Sequence, residues 1–200
     1  MKTKSLFHRL MIAALIALGA SQAFAAVDFQ DVPAVSAGGS ADVVSGGYVF
    51  KYSNTFPLAV HGVTNLDTFG AAGNHYLAYE AGVGTETFSR QDGGLFNLLS
   101  LDIGGWENFG SNSATLTITG LKADFSTLSF SAAVLPDAFS TFQLTGFTHL
   151  RSVTLGALPG RGYLAVDNLQ VTAVPESETY ALMLAGLGLM AAVSRRRKAV

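Results

Sequence analysis

No cysteine occurs in the 200 residues of this chain. That excludes disulfide cross-links, thiol nucleophiles and thiolate metal sites, so an exported domain of this sequence must be held by its core. Proline is scarce, at five residues, and charged residues make up only 13% of the chain. The shortage is uneven. Between residues 26 and 174 the basic residues are Lys51, Arg90, Lys122, Arg151 and Arg161, against twelve Asp and Glu, a net charge of −7. Such a field repels phosphates, and no basic patch offsets it, so nucleic acid is excluded as a partner. Catalytic signatures are missing too. His61, His75 and His149 are scattered, without a pair at metal spacing, and read as loop or sheet-surface residues. No Gly-x-Ser-x-Gly elbow is present, and Gly46-Gly47 and Gly104-Gly105 precede no helix, so they read as turns. Glu80, Glu86, Asp102 and Glu107 read as solubilising surface groups rather than a hydrolytic pair. The chain is expected not to be an enzyme.

What is present is strand pattern. Short runs rich in Val, Phe, Tyr, Thr and Leu, punctuated by Gly, Asn, Asp and Ser, predict ten strands: 26–29, 48–52, 76–79, 86–90, 95–102, 114–120, 127–133, 141–145, 151–155 and 163–174. Alternation is clearest at Ala114 to Thr119, where Thr115, Thr117 and Thr119 face one way and Leu116 and Ile118 the other. No amphipathic helix separates the runs, so parallel crossovers are excluded. The expectation is one all-β domain over residues 26–173, an antiparallel β-sandwich of jelly-roll type.

Both ends differ from this middle. Lys2, Lys4 and Arg9 precede an apolar stretch from Leu10 to Ala20, and Ala23, Ala25 and Ala26 supply a small-x-small cleavage site. Residues 1–25 thus read as a signal-peptide helix cut after Ala25 by signal peptidase. At the other end stand Val174-Pro175-Glu176-Ser177, an apolar run over 180–193, and the basic cluster Arg195, Arg196, Arg197 and Lys198. A helix over that run spans about 21 Å against roughly 30 Å of hydrocarbon, enough for a transient anchor in the inner membrane with the basic cluster left behind on the cytoplasmic side. Residues 174–200 resemble the PEP-CTERM sorting signal. The resemblance implies processing by an exosortase-type enzyme of Gram-negative bacteria, delivery to the cell surface or outside, and association with exopolysaccharide.

Residues 162–171, an aromatic and apolar run broken by Asp167-Asn168, are similar to the closing strand of secreted jelly rolls related to carbohydrate-binding modules. That resemblance implies a last strand beside the first, with Asp28 or Asp31 and Asp167 sharing a structural calcium ion. The alternative is a bulge at Asp167-Asn168 bonded to local backbone. No other cofactor is expected. Trp106, flanked by glycine, polar residues and Phe109, reads as a loop aromatic that either stacks on a sugar ring, with Tyr76 and Tyr79 nearby, or seals one end of the core. The function expected is a non-enzymatic envelope or extracellular-matrix protein, with a lectin-like binding module as the alternative and an extracellular hydrolase after that.

Overall fold

The computed structural model of the chain describes residues 25–34, 41–55, 60–65, 73–106, 109–175 and 184–190. Its strands are β1 (Ala25–Val27), β2 (Val43–Ser45), β3 (Tyr48–Asn54), β4 (His61–Thr64), β5 (Tyr76–Glu80), β6 (Gly84–Arg90), β7 (Phe96–Trp106), β8 (Ala114–Lys122), β9 (Thr127–Val134), β10 (Ser140–Gln143), β11 (Leu150–Leu155) and β12 (Tyr163–Ala173). Every strand pair is antiparallel. One layer runs β2-β3-β6-β11-β8-β9, and the other β10-β7-β12-β5-β4 with β1 beside the C-terminal half of β12. The pairing of Leu150 with Phe96 joins the layers at one corner. The result is the expected antiparallel β-sandwich, nearly closed, with neighbours in space drawn from distant parts of the chain.

Alternation decides which faces meet. In β8, Leu116 and Ile118 are buried while Thr115 and Thr117 are exposed. Inward residues of both layers form one core, including Phe50, Phe88 and Ile118 from the first and Leu77, Ile103, Leu164 and Val166 from the second. Each such side chain contributes about 1.5–3 kcal/mol on burial, which lets the domain do without cross-links. As expected, the last strand lies beside the first, with Ala26 opposite Gln170.

The structure corrects two expectations. It adds β2 and β4, both short, to the ten strands. Gly104 and Gly105 form no turn; they lie inside β7, paired with β12, and Phe109 packs so closely that a Cβ on Gly105 would come within 2.3 Å of its ring. The described helical part of the C-terminal run is 184–190, all exposed, and no helix among the described residues is long and apolar enough to cross a membrane. Ala25 and Ala26 lie in β1, and Val174 donates its N–H to Leu95 O at 2.9 Å, with Pro175 following it. Ala23, Glu176 and the cluster Arg195 to Lys198 lie outside the described residues.

Candidate functional site

The outer face of the second layer is assembled by register. Residues directly opposite in an antiparallel pair share a face. Trp106 opposite Tyr163 makes one row of side chains, Gly104, Ala165, Ala78 and Gly62 the next, and Thr141, Asp102 and Asp167 a third. The small residues of the middle row leave room for aromatic rings to lie on the sheet. Tyr76 and Trp106 meet edge to face at 6.2 Å, Phe139 stands 5.9 Å from Tyr76, and Tyr163 5.5 Å from Trp106. Tyr76 and Trp106 are buried in this cluster, whereas Phe139 and Tyr163 are half-buried. Trp106 is therefore the last residue of a strand and packed on the sheet, not a loop side chain. Tyr79 points the other way, into the main core.

Beside the aromatics runs a chain of polar contacts across the sheet. Gln30 Nε2 donates to Asn74 Oδ1 at 3.1 Å, and Asn74 Nδ2 to Asp167 Oδ2 at 2.9 Å. Asp167 Oδ1 accepts from the Asn168 N–H at 2.8 Å. Asn168 Nδ2 then donates to Asp102 Oδ2 at 2.9 Å, and Thr141 Oγ1 to Asp102 Oδ1 at 2.5 Å. Asn168 is held at φ 48, and the register shifts after Asp167, so the bulge expected as the alternative is present. Burial pushes the Asp167 carboxyl up to about 6 against the bonds from Asn74 and Asn168, and the charges of Asp102 and Asp28 add to the rise.

This geometry does not fit a calcium ion shared by Asp31 and Asp167. Asp31 turns to the β2–β3 hairpin, accepting from Ser45 Oγ at 2.5 Å and Gly46 N at 2.9 Å. Desolvation pushes its carboxyl up, but those bonds outweigh it and hold Asp31 below its ordinary range. Both oxygens of Asp167 are likewise engaged by N–H donors, and Asp28 Oδ1 accepts from Gln30 N. Among the described residues no group of three His, Asp or Glu side chains is placed to hold a metal.

Sequence reasoning missed a buried pair. His61 and Glu86, read as surface residues, are both fully buried, with Nε2 and Oε2 3.2 Å apart but not in hydrogen-bond alignment. His61 Nδ1 lies 3.0 Å from Ala41 O, and since a carbonyl only accepts, that nitrogen carries a proton. Tyr52 stacks on the imidazole at 5.4 Å. Burial raises the Glu86 carboxyl, His61 opposes the rise, and Asp42 adds to it. Closed to solvent, the pair ties edge strand β4 of one layer to β6 of the other. Its signal was legible, since Glu86 shares strand parity with Phe88, which faces the core.

His75 Nδ1 lies 2.8 Å from Val32 O, and His149 is exposed with its N–H donating to Asn97 Oδ1. Glu80 is half-buried at the end of β5, and Glu107 lies outside the described residues. A cavity of about 420 Å³ opens beside Gly46, Tyr48, Arg90, Asp92 and Val171. Its guanidinium is committed, Arg90 Nη2 to Asp92 and Nη1 to Leu95 O at 3.2 Å, so the outer-face strip offers the richer chemistry.

No protein-family model matches the chain, and no curated protein matches its sequence. Among solved structures it is similar to the C-terminal family 22 carbohydrate-binding module of Clostridium thermocellum Xyn10B, at 10% identity over 77% of this chain and 96% of that one, with a TM-score of 0.46. A mutant family 29 carbohydrate-binding module shows 13% identity over 76% of this chain and 91% of its own, with a TM-score of 0.45. An exo-β-agarase shows 9% identity and a TM-score of 0.47, this chain covering 25% of its length. At these identities and TM-scores the likeness shows neither a family nor a function for this chain.

Proposed function

We propose that the domain is a secreted carbohydrate-binding module without catalytic activity, carried by an exported envelope or matrix protein. The observation that supports this reading is the outer-face strip, where planar amides and carboxylates from Gln30 to Asp102 run beside the half-buried rings of Tyr163 and Phe139. Sugar rings are bound by such pairings, an apolar ring face on an aromatic and hydroxyls on side chains already fixed by their neighbours. The carboxylates favour neutral or amino sugars, since Asp28, Asp102 and Asp167 stand in a domain of net charge −7 and repel uronates. Each oxygen of Asp102 and Asp167 already accepts a hydrogen bond, which suits a positioning role better than proton transfer. Export by signal peptidase, transient anchoring in the inner membrane, exosortase-type processing and an exopolysaccharide partner complete the proposal.

Affinity electrophoresis through gels holding neutral, amino-bearing or uronate polysaccharide tests it. Retardation is expected in one of the first two, and Tyr163→Ala or Asp102→Ala should weaken it by about tenfold, or ~1.4 kcal/mol. Thr117→Ala, on the other layer, should leave it unchanged. No retardation by any of the three, or retardation indifferent to Tyr163 and Asp102, overturns the reading.

A further inference from the structure

Strand β9 closes one edge of the first layer, and its only partner among the described strands is β8. The sequence Thr127-Leu-Ser-Phe-Ser-Ala-Ala-Val134 contains no charge, proline or glycine, and its pairing with β8 runs without a register shift. Long edges of this kind are ordinarily blunted by lysine, proline or a bulge, and this one has none of them. The direction of its free groups follows from the hairpin. Lys122 N donates to Ser126 O at 2.9 Å, so Lys122 and Ser126 form a hydrogen-bonded pair. By antiparallel alternation Leu128, Phe130 and Ala132 direct their backbone groups to β8, and Thr127, Ser129, Ser131 and Ala133 direct theirs away from it.

We propose that this edge is a self-association surface, on which β9 of a second copy of the chain pairs antiparallel about a two-fold axis at Phe130. Three features select a second copy as the occupant. First, that register matches outward groups with outward groups, setting Ser129 opposite the partner's Ser131 and Thr127 opposite the partner's Ala133. Phe130, half-buried and 6.2 Å from Phe142, then faces its own copy on the inner side. Second, the same axis brings Phe125 of one copy, 71% exposed, toward the partner's Leu135, 47% exposed; these flank the two ends of β9 and are the most exposed large hydrophobics of the described sandwich.

Third, charge permits it. Two domains of net charge −7 repel over most of their surface, but this edge is neutral. Its ends are complementary as well. Lys122 and Arg151, the latter over the Phe125 ring and bonded to Ala123 O, lie at the hairpin end, and exposed Asp137 lies beyond the other. Asp124 at the hairpin turns back on Ser126. An antiparallel pair sets each basic end against an acidic one, and an isologous contact closes as a dimer rather than a fibre.

The full-length chain, which has no cysteine of its own, gives a clean test when exported to an oxidising compartment. Phe130→Cys places a single thiol on the axis, and a covalent dimer is expected on a non-reducing gel. Ser129→Cys with Ser131→Cys, both exposed and so harmless to folding, should give the same dimer, and Thr117→Cys one strand inward should give none. Adding Ser129→Lys and Ser131→Lys to Phe130→Cys sets like charges directly opposite and should abolish the cross-link. The proposal is overturned if both cysteine variants stay monomeric, as they will if another partner or the chain's own C-terminal segment covers the edge. Cross-linking at Thr117→Cys, or a dimer that survives the lysines, overturns it equally.

Discussion

Asp167 is the residue on which the outer face turns. Its side chain is almost fully buried and its pKa stands at about 6 against 3.8 for the ordinary group. A carboxyl raised on folding binds its proton more tightly in the native state, so its stability contribution is complete below about pH 4 and lost as pH rises through about 6. The whole effect is ~3 kcal/mol at most. Glu86 is raised as well and acts in the same direction, so the wild-type slope alone does not isolate Asp167. The difference does. Asp167→Asn keeps the acceptor for the Asn168 N–H and removes the charge, so its melting temperature should gain on wild type as pH rises from 4 to 7. A difference that stays constant across that range rules out the ionisation of Asp167 as the cause.

At the level of the strand, β8 gives the sharpest contrast between its two faces. Leu116 and Ile118 are buried without exposure, and Thr117 between them is open to solvent. Leu116→Asp puts an unpaired carboxylate in the core at a cost of ~4 kcal/mol or more, a large part of a domain's total stability. Thr117→Asp should change the unfolding free energy from denaturant melts by less than ~0.5 kcal/mol, and a loss comparable to that of Leu116→Asp means the two faces have been confused. The same alternation shows why ten strands were legible and two were not. β8 and β6 alternate, whereas all four residues of β4 are buried, and β2, with three residues, shows no period; β1 is as short and was expected only as part of a longer run over 26–29. Gly104-Gly105 misled for a related reason. A glycine pair reads as a turn unless the ring that will lie on it, here Phe109, is known beforehand. The polar strip was hidden for want of long-range register, since Gln30, Asn74, Asp102, Thr141 and Asp167 meet only once β7, β10 and β12 are aligned.

For the whole molecule, the test to make is whether the sandwich stands without the two ends. Among the described residues, every member of the main core lies between Val27 and Val171, and β12 stops at Ala173, before the Val174-Pro175-Glu176 motif begins. The two expected processing points also share a corner, because Ala25 lies opposite Val171 across β1 and β12. If the C-terminal segment anchors the chain as proposed, a sandwich built this way should lose nothing on release. Intact-mass analysis of the exported protein should therefore find a species of roughly residues 26–176, and Glu176→Ala should cause a species still carrying Arg195 to Lys198 to accumulate. A chain made as residues 26–175 should show a β-dominated circular dichroism spectrum and melt in one cooperative step, as a domain of this size ordinarily does. Helical signal above about a third of the residues, or a melt that becomes gradual on removing the ends, shows that the terminal segments belong to the fold and that the sandwich is not the independent unit its core implies.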